Sequence, residues 1–187
     1  IINDDILKTV LKKVIGDEKE VFICGNLPYY ITTPIIMKLL EDRLPIKSIT
    51  VMVQKEAAQR ICAEVGTRQS GAVTVSVNYY AEPEMLFGVS AGSFMPAPKV
   101  DSAVIRLNVR KEPPVKVESE KLLFNVIKAA FSQRRKTLAN SLSSGLSVEK
   151  GKINELLINS GVETNARAEK LTLDDFANIT NNLQEMM

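Results

Sequence analysis

The chain has 187 residues, 45% of them hydrophobic and 25% charged, with a formal net charge of +2. That is enough apolar material to pack one large domain, or one medium domain and a small one, and it excludes a disordered chain. There is no histidine, which excludes Ser-His-Asp and Cys-His nucleophile systems, imidazole acid–base chemistry and histidine-ligated metals.

Residues 20–25 (EVFICG) form a short apolar run ended by Gly and Asn, the signature of a strand buried on both faces as in a parallel sheet. Thr33 and Pro34 before Ile35, Ile36, Leu39 and Leu40 predict a helix with threonine at the N-cap and proline at the first position. Residues 47–54 predict a second buried strand, and residues 55–64 a second helix. Strand, helix, strand, helix is the order of an α/β layer with a parallel sheet. After Gly66 the pattern alternates over residues 71–80, 85–89 and 102–109, which predicts consecutive strands closing the sheet along an antiparallel edge. The intervening loop, residues 94–100 (FMPAPKV), is held extended by two prolines.

Glu112-Pro113-Pro114 marks the expected domain boundary, and everything beyond it has helical periodicity. Leu122, Leu123, Val126, Ile127, Ala130 and Phe131 trace one apolar face, and Ile153, Leu156 and Leu157 another that stops near Gly161. Thr172 is placed to cap a last helix, with Asp175 at its third position and Leu171 stapled to Phe176. Cys24 and Cys62 lie inside apolar or helical patterns and read as reduced, buried thiols. Residues 1–111 carry 14 basic and 12 acidic side chains, and residues 112–187 carry 10 of each. A nucleic-acid surface must therefore come from local clustering.

The segment that carries chemistry is Asn26-Leu27-Pro28-Tyr29, directly after the first strand. Ligands of open α/β sheets bind just beyond the carboxyl ends of the strands. The Asn26 amide oxygen and the Leu27 carbonyl can both accept from one exocyclic NH2 group. Pro28 helps to hold them in place, and the Tyr29 ring offers a stacking face for a flipped-out base, worth roughly 1–3 kcal/mol. Adenine N6 is a poor nucleophile because its lone pair is delocalised. Two acceptors gripping its hydrogens favour a pyramidal nitrogen aimed at an electrophilic methyl, a positioning effect with an upper limit of about 7–11 kcal/mol. Neither histidine nor a metal is needed. The alternative for the tetrapeptide alone is a plain turn.

The sequence resembles the KsgA-type ribosomal RNA small-subunit adenine N6,N6-dimethyltransferases. The likeness runs through NDDIL at 3–7, GNLPYYITTPI at 25–35, VQKEAAQRICAEVGT at 53–67, FMPAPKVDSAVIRL at 94–107, FSQRRKTLANSL at 131–142 and ARAEKLTLDDFANI at 166–179. The first four are shared in looser form with antibiotic-resistance methyltransferases that act on large-subunit RNA. The resemblance implies a Rossmann-like S-adenosylmethionine-dependent methyltransferase sheet over residues 1–111, incomplete, followed by a small all-α RNA-binding domain over 112–187. It implies that Asp5 and Ile6 hold the cofactor adenine, that Asn26 touches cofactor and target base, and that Tyr29 and Phe94 wall the base pocket. The basic run Arg134-Arg135-Lys136, placed on a helix, reads as a solvated surface turn or as a set of RNA phosphate contacts, and the resemblance favours the contacts; Lys99 and Arg106 are weaker candidates. Where the family has a tyrosine-glycine pair this chain has Ser70-Gly71.

The family's glycine-rich loop and its acidic ribose-binding residue belong upstream of Asp5. The chain is therefore expected to be N-terminally truncated, and to transfer no methyl group by itself. The expected function is dimethylation of adenine N6 in small-subunit ribosomal RNA within a pre-ribosomal particle, by a cytoplasmic monomer that engages neither membrane nor DNA. Two alternatives stand beside it: a large-subunit enzyme of the resistance type, and a non-catalytic RNA-binding assembly factor. A DNA adenine methyltransferase fits less well, because those carry a second proline where this chain has Leu27.

Overall fold

A short helix, α1 (Leu11–Ile15), buries none of its side chains and leads into the first strand, β1 (Val21–Asn26). The computed structural model describes residues 1–133 and 135–186. β1 pairs in parallel with β2 (Ile46–Gln54), from Phe22 opposite Ser48 to Asn26 opposite Met52. A parallel pair requires a crossover, and the helix α2 (Thr32–Glu41) supplies it, burying Ile35, Ile36, Leu39 and Leu40. A third helix, α3 (Lys55–Ile61), follows β2 directly.

The helix α4 (Ala72–Tyr80) runs straight into β3 (Ala81–Val89), which pairs antiparallel with β4 (Ser102–Val109). β4 in turn pairs antiparallel with β2, so the strand order is β1-β2-β4-β3. The expected parallel pair and antiparallel edge are both present. Ile49, Val51 and Val53 of β2 and Ala103, Ile105 and Leu107 of β4 are buried to within 1% and form the centre of the sheet.

Four local expectations are corrected. β1 is not buried on both faces: its burial alternates, Phe22 is 70% exposed and Cys24 is exposed. Among the described residues β1 is an edge strand with only β2 beside it. Thr33 does not cap α2. The helix begins one residue earlier, with Ile31 at the N-cap, and the Thr32 hydroxyl donates to the Pro28 carbonyl instead. Pro34 then sits in the first turn, where a missing N–H costs nothing. α3 stops at Ile61, short of the expected residue 64.

Residues 71–80 are a helix and not a strand. Thr74, Val75, Ser76, Val77, Tyr79 and Tyr80 are all buried, so the apolar alternation did not mark one face of anything. Periodicity cannot separate a strand from a helix that is apolar all round. The local polar chemistry decides: the Gly71 N–H donates to the Thr74 hydroxyl and the Asn78 side chain donates to the Thr74 carbonyl, both bonds of a helical turn. Ser70 buries its hydroxyl without a hydrogen-bond partner among the described residues.

Backbone contacts divide the chain into two compact units, Ile1–Cys62 with Tyr80–Glu112, and Ala63–Tyr79 with Pro113–Met187. The second unit contains α5 (Glu120–Ala130), α6 (Leu138–Leu146), α7 (Lys150–Asn159) and α8 (Leu173–Glu185). Ser119 caps α5 by accepting the Leu122 N–H. Gly145 of α6 lies so close to Ala129 of α5 that a methyl group there would come within 2.6 Å of the Ala129 Cβ and 2.8 Å of its Cα. Gly161, at φ 73°, lets the chain turn after α7. The cap of α8 forms as expected: the Thr172 hydroxyl accepts from the Asp175 N–H, and the Asp175 carboxylate accepts from the Thr172 N–H at 2.8 Å. Leu171 and Phe176 are both buried, and the Phe176 ring stacks on Phe131.

Both cysteines are free. Cys62 is half-buried, and burial, reinforced by the Glu84 carboxylate, pushes its thiol up from 9.0 to about 11. Cys24 is exposed, contrary to the buried thiol expected of it.

Candidate functional site

β1 delivers Asn26 to its carboxyl end, and the Leu27 N–H then donates to the Met52 carbonyl at 3.1 Å, which prolongs the register by one residue. Pro28, in extended backbone, opens a single 3-10 turn at Tyr29–Ile31. Its carbonyl accepts from the Ile31 N–H and from the Thr32 hydroxyl. The two bonds pin the tetrapeptide between β1 and α2, so the turn is rigid for a local reason. The Tyr29 hydroxyl lies 2.6 Å from the Ser102 hydroxyl, at the buried start of β4. That bond ties the aromatic ring to the sheet. Ser102 went unremarked in the sequence because nothing local signals a partner 73 residues away.

The loop between β3 and β4 supplies the other wall. Ser90 caps a 3-10 turn at Ala91–Ser93, and Phe94 follows in extended backbone. The Asp101 carboxylate accepts the Ala91 N–H at 3.0 Å, its carbonyl accepts the Lys55 N–H at 3.0 Å, and the Lys55 ammonium lies 3.8 Å from the carboxylate. Asp101 thus fastens the loop to its own start and to α3, another role with no local signal. The peptide bond between Met95 and Pro96 is cis.

A cleft of about 360 Å³ lies between these parts. Asn26, Leu27, Pro28 and Tyr29 line it on one side of the sequence gap, and Phe94, Pro96 and Pro98 on the other. The structure therefore brings together the tetrapeptide and Phe94, residues 65 positions apart that the sequence singled out separately. Asp5 and Ile6 do not line this cleft. Asp5 sits in an N-terminal turn, its carboxylate accepting the Leu7 N–H at 3.0 Å and its carbonyl accepting from Lys8 and Thr9. Lys99 is exposed in the loop and does not line the cleft either. Arg106, on β4, pairs with Glu84 at 2.8 Å.

Of the basic cluster, Arg135 and Lys136 are not on a helix. α5 ends at Ala130 and α6 begins at Leu138, so Arg135 and Lys136 lie exposed in the turn between them, where the Lys136 N–H donates to the Gln133 carbonyl. Ser132 ends the preceding helix by donating to the Ala129 carbonyl. Arg134 lies outside the described residues. Among the described residues no group of three His, Cys, Asp or Glu side chains could hold a metal ion.

The cleft lies beyond the carboxyl end of a parallel strand, the place where open α/β sheets bind their ligands, and Asn26, Leu27, Tyr29 and Phe94 are among the residues that line it. The whole-chain comparisons place it in a family. A family model described as ribosomal RNA adenine dimethylase matches residues 1–185, and the chain belongs to that family.

The ribosomal RNA small subunit methyltransferase A of Alkaliphilus oremlandii is 46% identical over 191 residues, covering 100% of this chain, which spans 67% of that protein. A dimethyladenosine transferase from Plasmodium falciparum superposes with a TM-score of 0.77 at 25% identity, over 95% of this chain and 70% of that one. The 23S rRNA methyltransferase ErmE shares the fold, with a TM-score of 0.66 at 24% identity, over 98% of this chain and 71% of that one.

Proposed function

We propose that this chain works in the dimethylation of adenine N6 in small-subunit ribosomal RNA, with S-adenosylmethionine as methyl donor. The single observation that carries the reading is the cleft that joins Asn26, Leu27 and Tyr29 to Phe94 in a protein of this family. The Asn26 amide oxygen and the Leu27 carbonyl accept the two N6 hydrogens, which orients the nitrogen lone pair and excludes other nucleophiles from the same place. Tyr29, fixed through Ser102, stacks on the base, and Phe94 closes the pocket from the loop.

S-adenosylmethionine, when bound, supplies a methyl group on an electrophilic sulfonium sulfur. Asp5 suits its adenine end: the carboxylate is about half exposed and is oriented by the Leu7 N–H, so it remains an acceptor for an amino group. Ile6 beside it supplies apolar surface for the ring. As N6 acquires a methyl it loses a proton, and no residue of the cleft has to act as a strong base for this, since the methylated nitrogen is strongly acidic before the proton leaves. The second transfer repeats the first with one acceptor contact fewer.

Arg135, Lys136 and Lys99, with Arg134, hold the RNA backbone by phosphate contacts. The substrate is an RNA in a pre-ribosomal particle, and the protein acts as a cytoplasmic monomer. No helix of the described residues is long and apolar enough to cross a membrane. The test is transfer of labelled methyl groups by the full-length protein to small- and large-subunit ribosomal RNA offered together. N6,N6-dimethyladenosine confined to small-subunit RNA is the expected product. Label in large-subunit RNA would favour the resistance-type enzyme, and RNA binding without transfer would favour an assembly factor.

A further inference from the structure

A second concavity, of about 270 Å³, opens at the other end of the same sheet. It lies where β1 and β2 begin and β4 ends, next to Lys19, Lys47 and Val109. Along β2 the six residues from Ile46 to Met52, which pairs with Asn26, separate it from the base cleft by roughly 20 Å, at about 3.3 Å per residue. Its floor is apolar, from α2 and the start of β2. Its charged lining is all of one sign: Lys19, Arg43, Lys47, Arg110 and Lys111, with no carboxylate among the lining residues.

Lys47 pairs with Glu20 at 3.2 Å and Arg110 with Glu82 at 2.6 Å, both carboxylates outside the lining. Glu41, Asp42 and Glu112 adjoin the cluster in sequence, and Asp42 is engaged by Lys38 at 2.9 Å. The lining itself carries five cations, with the carboxylates set outside it.

The placing of Arg43 is unusual in its own right. It follows the C-cap of α2 with φ 49°, the left-handed conformation that glycine adopts readily and a branched chain does not. That backbone sets the guanidinium 4.7 Å above the centroid of the Tyr80 ring. This left-handed residue just past the C-cap ends α2 and carries the guanidinium to the lining of the concavity. The ring itself is 4% exposed, so it steadies the guanidinium and does not stack on a ligand.

We propose that this concavity is a second RNA-binding site, which takes the phosphodiester backbone of a segment distinct from the one that enters the base cleft. The proposal rests on the reading of the chain as an RNA methyltransferase. Its ligand chemistry is phosphate. A polynucleotide is favoured over a small anion because the five cations are spread over three separate chain segments, a layout that suits an extended backbone.

The test uses the full-length protein and a labelled single-stranded RNA with an attached hairpin, its affinity measured over a range of salt concentrations. Two variants are compared with the parent: Arg43→Gly, which relieves the left-handed backbone and so preserves folding, and Lys19→Gln/Lys111→Gln, which changes exposed side chains only. Each lost phosphate contact should lower the slope of log affinity against log salt by about 0.7–0.9. The single variant should then bind several-fold more weakly at low salt, and the double variant more weakly still with a slope lower by about 1.5. Inorganic phosphate is a separate arm, and the proposal expects millimolar phosphate to leave RNA binding by the parent largely intact. Parent-like affinity and slope in both variants, or displacement of the RNA by phosphate alone, would overturn the second site. Failure of the parent to bind RNA would instead overturn the reading of the substrate.

Discussion

Tyr29 does two jobs that substitution can separate. Tyr29→Phe keeps the ring and removes the hydroxyl that lies 2.6 Å from Ser102 Oγ. Ser102 is 0% exposed, so its hydroxyl would be left buried without its partner, at a cost of about 1–3 kcal/mol. For a chain of this size that is a fall of roughly 2–4 °C in Tm per kcal/mol. Removing both hydroxyls, in Tyr29→Phe/Ser102→Ala, deletes the pair without leaving an orphan, and is expected to cost less than the sum of the two single changes. Urea unfolding of the four proteins gives the coupling directly. Catalysis should follow the ring and not the hydroxyl. Tyr29→Ala forfeits about 1–3 kcal/mol of stacking, a loss of roughly 5- to 150-fold in kcat/KM, whereas Tyr29→Phe loses far less. Additive unfolding energies would refute the pairing, and equal kinetic losses in Phe and Ala variants would refute the stacking role.

Other outcomes follow from the same structure. Gly145→Ala gains helix propensity, but its new methyl would meet the backbone of Ala129 at 2.8 Å, so a net destabilisation of about 1–3 kcal/mol is expected in denaturant unfolding. Thr172→Ala removes the acceptor of the α8 capping box and should cost about 1 kcal/mol by the same measurement. Asp101→Ala frees both ends of the loop that carries Phe94, so KM for RNA should rise more than kcat falls in steady-state assays.

The pH response of Cys62 has a fixed sign. Its thiol is held up at about 11 in the folded protein, from an ordinary 9.0, so the unfolded chain loses its proton first. Stability should be indifferent to this group below pH 9 and fall as pH rises through the window to about 11, an effect that Cys62→Ser removes.

What the sequence revealed and what it concealed differ for physical reasons. The parallel pair, β4 and the α8 cap were legible because each is specified by neighbours in sequence: apolar runs of strand length, and a threonine three residues ahead of an aspartate. The helix at 72–80 was not, since burial on every side erases the period that distinguishes helix from strand. Arg135 and Lys136 read as helical from the apolar residues around them, whereas the helix end at Ala130 is set by serine and backbone contacts that composition does not display. In the site, Asn26 and Tyr29 announced themselves through residue type on either side of Leu27-Pro28, and Phe94 through the family resemblance. Ser102 and Asp101 did not, because their work is to hold other residues across a long gap in sequence.

The central claim is that Asn26 grips the amino group that becomes methylated. The measurement closest to it is methyl transfer by full-length Asn26→Ala to small-subunit ribosomal RNA, with RNA affinity determined on the same preparation. The account predicts that transfer is lost while RNA affinity stays within about twofold of the parent. Parent-like transfer in that variant would contradict it.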